Sequence, residues 1–144
     1  GSVRGVDLHD FAVVKVAGTT GAELWRYVVE RDGLGRAVAV AVDRQGDAFV
    51  TGQVEGYPTL GRFEVLQIDG STGRVEWSRA RSEIGGGADV AVDRGGHVAV
   101  SGLLVLANPP RDDQARLVVG RLSPRGGGLT GPERQHGSHG KSLP

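Results

Sequence analysis

The sequence has no cysteine, no excess charge of either sign and no long apolar run. The missing cysteine excludes disulfides and thiolate metal sites from all 144 residues. Lysine plus arginine equals aspartate plus glutamate, 17 against 17. No net field therefore recommends nucleic acid or an anionic membrane surface as a partner. No stretch approaches the roughly 18 apolar residues that span a bilayer. No secretory-signal pattern opens the sequence, and its GSV start, without methionine, reads as a lead-in, a cloning remnant or the edge of a cut fragment. What is plentiful is glycine, 25 residues, without the Gly-X-Y period of collagen. At 38% hydrophobic and 24% charged, the chain has enough apolar side chains for one folded domain. Abundant glycine then points to many turns between short strands.

A repeat organises those turns. Thr20-Gly21-Ala-Glu-Leu-Trp25 returns as Thr72-Gly73-Arg-Val-Glu-Trp77, and Phe11 returns as Phe63, each 52 residues on. AVAVAVDRQGDAFVTG, residues 37–52, is echoed by ADVAVDRGGHVAVSG, residues 88–102, with Asp43 and Asp93 50 residues apart. A third copy begins at RLVVGRLSPRGG, residues 116–127, and then loses the pattern. Several motifs in constant order at nearly constant spacing mark a repeat architecture.

Each unit resolves into four short apolar runs bounded by glycine-bearing turns, so the runs are predicted strands. AVAVAV, residues 37–42, is rich in alanine but too short for a stable helix, and half of it is β-branched. As a strand it is predicted to bury both faces, Val38, Val40 and Val42 on one and Ala37, Ala39 and Ala41 on the other. Asp43 to Gly46 and Asp93 to Gly96 carry aspartate first and glycine fourth, the type I pattern of a bulged hairpin. Ser123 to Gly126 repeats the idea with Pro124 second. Short loops favour antiparallel pairing.

Four antiparallel strands per unit of about 50 residues, in tandem, predict an all-β fold of β-propeller blades. Here the residues also carry a resemblance. DFAVVKVAGTTGAELW and RFEVLQIDGSTGRVEW resemble the outer hairpin of bacterial PQQ-like and SBBP-type propeller repeats. AVAVDRQGDAFVTG and VAVDRGGHVAVSG resemble the inner hairpin. The resemblance implies that Thr20, Gly21 and Trp25 latch one blade to its neighbour, and Thr72, Gly73 and Trp77 the next. Asp69 precedes the second threonine, but Ala17 stands in its place in the first copy, so that turn is expected to be held less tightly.

The organisation that follows is a lead-in at 1–9, a propeller segment at 10–123 and a glycine-rich tail at 124–144, expected to be disordered. Within the segment lie an outer hairpin at 10–29, a full blade at 36–81 and a partial blade at 88–123. That is about two and a half blades, where closed propellers use about four to eight. The expected partners are therefore further blades of a longer chain, or self-association.

Chemistry-bearing residues offer bland readings. His136 and His139 form an H-x-x-H without a third ligand. His9 and His97 have no sequence partner. Asp43, Asp47 and Asp93 lack the alternating ligands of a calcium loop and fit turns. The glycines of IGGGAD, residues 84–89, enter a strand and not a phosphate-binding helix. Gly-x-Ser-x-Gly is absent. Arg79 and Arg81 read as a solvated strand end, and both tryptophans as packing residues rather than ligand platforms. The expectation is a non-catalytic scaffold or binding module with no cofactor, taking protein or a cell-surface component. Resemblance places it outside the cytoplasm, extracellular or periplasmic. The alternative it implies is a piece of a PQQ-dependent dehydrogenase, with the quinone and calcium held in a complete ring.

Overall fold

Valine-rich runs separated by glycine turns form strands throughout the computed structural model, which describes residues 2–4, 9–29, 35–54, 61–105 and 115–122. The strands are β1 (Ser2–Arg4), β2 (His9–Val16), β3 (Glu23–Val29), β4 (Gly35–Val42), β5 (Ala48–Val54), β6 (Arg62–Ile68), β7 (Val75–Val92), β8 (Val98–Val105) and β9 (Ala115–Leu122). They make two sheets, β1-β2-β3 and β4-β5-β6-β7-β8-β9. Every pairing is antiparallel. The described residues contain no helix, and neither sheet closes on itself. The tail at 124–144, the Ser123–Gly126 turn, His136 and His139 lie outside the described residues, as do the side chains of His9 and Arg81.

The repeat is visible in the register. β4, β5, β6 and the first part of β7 form a four-stranded group over the expected unit at 36–81. The later part of β7, with β8 and β9, forms the three strands expected at 88–123. The boundary between them is not a loop. β7 runs unbroken, and Ile84 pairs with Arg62 on β6 and with Val105 on β8, handing the ladder over. Gly87 lets this crossing lie close, since a Cβ there would meet the Thr51 hydroxyl at 1.9 Å.

Irregularities recur too. The β4–β5 ladder shifts between Ala37 and Ala39, and the β7–β8 ladder shifts between Gly87 and Asp89. Gly52 and Gly102 sit opposite these bulges. A Cβ at Gly52 would strike the Arg36 carbonyl oxygen at 2.0 Å, and one at Gly102 the Gly86 carbonyl oxygen at 2.5 Å. The recurrent glycine is thus fixed by a β-bulge that brings backbone against backbone.

Alternation along β5 and β6 sends side chains to two separate cores. Ala48, Val50, Val54, Leu66 and Ile68 join Phe11 and Val29 of the first sheet, with Val13, Trp25, Tyr27 and Val75 packed around them. Phe49, Phe63 and Val65 join Val90, Val98 and Val100, with Ala39, Ala41, Trp77 and Val92 around them. Burial on both faces is why FEVLQI carries apolar residues on either side of the strand and buries Glu64 and Gln67 among them.

One expectation is overturned. Residues 37–42 do not bury both faces: Val38, Val40 and Val42 are exposed, while Ala37 is buried and Ala39 and Ala41 are partly so. The bulge sends Ala37 to one core and Ala39 and Ala41 to the other. The valines face a side that no described strand covers.

These environments predict unequal costs. Leu66→Ala empties a fully buried site and should lower unfolding free energy by about 2–5 kcal/mol. Val42→Ala should change it by less than about 0.5 kcal/mol. Urea denaturation of the two variants checks the contrast.

Candidate functional site

The turns build the site. Asp43 accepts from the Gly46 amide through its carbonyl at 3.2 Å, and Asp93 from the Gly96 amide at 3.1 Å. Gly46 and Gly96 have φ of 92° and 76°, the left-handed conformation that closes a bulged hairpin. The carboxylates fix the same loops. Asp43 Oδ1 accepts from the amides of Gln45 and Asp47, and Asp93 Oδ1 from those of Gly95 and His97. His97, expected to lack a partner, places Nδ1 2.9 Å from Asp93 Oδ2. Bonds led by that of the His97 amide hold the Asp93 carboxyl below the usual carboxylate range.

The outer turns share a backbone frame. Gly21 and Gly73 both have positive φ, 71° and 74°, and their amides donate to the carbonyls of Ala17 and Asp69. Thr20 and Thr72 each accept a backbone amide two residues on. The difference lies at Asp69, whose Oδ1 also accepts from the amides and hydroxyls of Ser71 and Thr72. These bonds, that of the Ser71 hydroxyl first, hold its carboxyl far below the usual range. Ala17 offers none of them.

Trp25 reaches across to the second unit. Its indole N–H donates to the Gly70 carbonyl at 3.0 Å, and Lys15 Nζ donates to the same oxygen at 2.5 Å. A Cβ at Gly73 would meet the Trp25 ring at 2.9 Å, so glycine is needed here for space as well as for φ. Asp47 ties the two turns of the second unit together, accepting from the Gly70 amide and from Gln67 Nε2. Sequence reasoning had Trp25 and Gly73 but missed Lys15, Gln67 and the bridging role of Asp47. Their signal is faint, because Lys15 and Gln67 occupy one repeat position with different chemistry.

Trp77 has other surroundings. It meets Phe49 at 6.2 Å between ring centroids, tilted by 53°, and the Arg79 guanidinium lies 5.9 Å from its ring centre. Arg79 is therefore a stacked cation and not a merely solvated one. The buried indole N–H of Trp77 has no hydrogen-bond partner among the described residues. Beside it opens a cleft of about 310 Å³ between the inner turns, with Phe49, Gln67, Trp77 and Val98 below and Arg44 and Arg94 at the rim.

The cleft's carboxylates accept hydrogen bonds from turn amides and from Gln67, and that of Asp93 lies against the His97 ring. Among the described residues no three His, Cys, Asp or Glu side chains are grouped to hold a metal ion. Nor is any helix of those residues long and apolar enough to cross a membrane. No family model matches the chain, and no curated protein matches it.

Two outcomes follow. Gly73→Ala should cost about 1–3 kcal/mol more than Gly21→Ala, and that excess should vanish in a Trp25→Ala background; a double-mutant cycle measures it. Asp69 has a depressed folded-state pKa, so its contribution is complete above the ordinary value of 3.8 and is lost as pH falls through the folded value. The melting temperature of the parent chain should therefore fall more steeply between about pH 5 and 2 than that of Asp69→Ala.

Proposed function

We propose that this chain is a run of β-propeller blades serving as a non-catalytic scaffold or binding module, within a larger secreted or cell-envelope protein. One observation carries the reading: the middle unit is covered on both faces by its neighbours, with Trp25 hydrogen-bonded across the junction to Gly70. Sheets stacked through such faces form a stiff platform, and platforms of this type present turns for recognition. The cleft between the Asp43 and Asp93 turns supplies the recognition surface. Aromatic side chains below and arginines at the rim suit a protein loop or a cell-surface component with an apolar face and polar edges. The compartment rests on the resemblance of the repeats.

Titration with pyrroloquinoline quinone and calcium, followed by tryptophan fluorescence and a dye-linked alcohol oxidation assay, separates this reading from the dehydrogenase. Neither saturable binding nor oxidation is expected. Saturable binding with turnover would reverse the assignment.

A further inference from the structure

The repeat provides its own control for the exposed valines. Val40 pairs with Val50 on β4–β5, and Val90 pairs with Val100 at the same place on β7–β8. Yet Val40 is 59% exposed and Val90 only 6%. Val90 is covered because Ala39, Ala41 and Phe49 of the preceding inner hairpin share its core. The core around Val50 contains the outer hairpin of the first unit but no such inner hairpin.

The backbone shows the same gap. β1 pairs Ser2 with Phe11, just as β5 pairs Gln53 with Phe63. β1 is thus the counterpart of the end of β5. But β5 covers β6 through to Ile68, whereas β1 covers β2 only at His9–Phe11. On that side Val13–Val16 run past the end of β1 with no described strand beside them. Between this edge and β4 lies a groove of about 170 Å³, walled by the apolar residues Val13, Val14, Val38, Val40 and Val50 and by backbone.

An open strand edge beside a row of apolar side chains is the recognition surface of β-augmentation. We propose that this groove is the docking site for a two-stranded β-hairpin of the type of residues 35–54. Its first strand lays small side chains on Val40 and Val42, and its second pairs with Val13–Val16 and runs collinear with β1. The inference rests on the blade reading above and adds the occupant of one face. A hairpin whose second strand continued directly into β1 would meet this register without a connecting loop. A second copy is a poor occupant, because its free inner hairpin carries β9 paired in the register that β2 holds here, Leu103 to Leu117 beside Ser2 to Phe11.

The test attaches an extra copy of residues 35–51 directly ahead of Gly1 in the full chain. Hydrogen exchange at the Val13–Val16 amides that point away from β3 should slow by at least about tenfold. Binding of a hydrophobic dye should fall and the melting temperature should rise. Val40→Glu should cancel these gains in the extended chain and leave the melting temperature of the parent chain unchanged. Should the extended chain not fold, the same peptide added in trans to the parent chain is read by the same exchange. Unchanged exchange at Val13–Val16 in both formats overturns the proposal. So does a parent chain that forms a sharp closed oligomer with this edge already protected. Val90→Glu keeps the two readings apart: if it leaves the melting temperature intact, the stacking of units is wrong, whatever the hairpin does.

Discussion

Burial of each unit's face by the next unit is the constraint on which the rest depends. A four-stranded antiparallel sheet has two faces, and β5 and β6 are apolar on both. Such a sheet cannot stand alone in water, because it offers one core at most and needs two. The first sheet supplies Phe11 and Val29 on one side, and β7 and β8 supply Val90, Val98 and Val100 on the other. The bulges, the close glycines and the cross-unit hydrogen bonds of Trp25 and Lys15 all serve to bring those layers into contact.

Much of this was legible because the units repeat. Phe11 and Phe63, the Thr-Gly phrases and the Asp-x-x-Gly turns were readable from spacing, and they mark the strands and hairpins that the structure contains. What the spacing could not convey was the effect of one inserted residue. A bulge at Val38 moves Ala39 and Ala41 to the face opposite Ala37, which a strict period of two does not anticipate. The continuity of β7 was not legible either: the spacing bounded the units at 81 and 88, but one strand runs through Gly85 and Gly86 to Gly87, the close point of the crossing. The exposure of Val40 was illegible for another reason. Burial belongs to a pair of units, and the local sequence describes one member of it.

The candidate site was only partly legible. Spacing located the turns that frame the cleft, but not the cleft itself, which is assembled from β5, β6, β7, β8 and two turns. Its carboxylates read in the sequence as turn residues. In three dimensions Asp43, Asp47 and Asp93 each accept two hydrogen bonds or more, which hold the turns in place.

The two tryptophans show why identical letters need not make identical interactions. Trp25 has a neighbouring turn with glycine at two positions, one yielding a carbonyl and the other yielding room. Trp77 has Phe49 and Arg79 on its ring and no described acceptor for its N–H. A buried indole N–H left unpaired costs on the order of 1–3 kcal/mol. The second junction also packs Phe63, Val65 and Val90 into its core. The cleft opens at this second junction, beside the Trp77 ring.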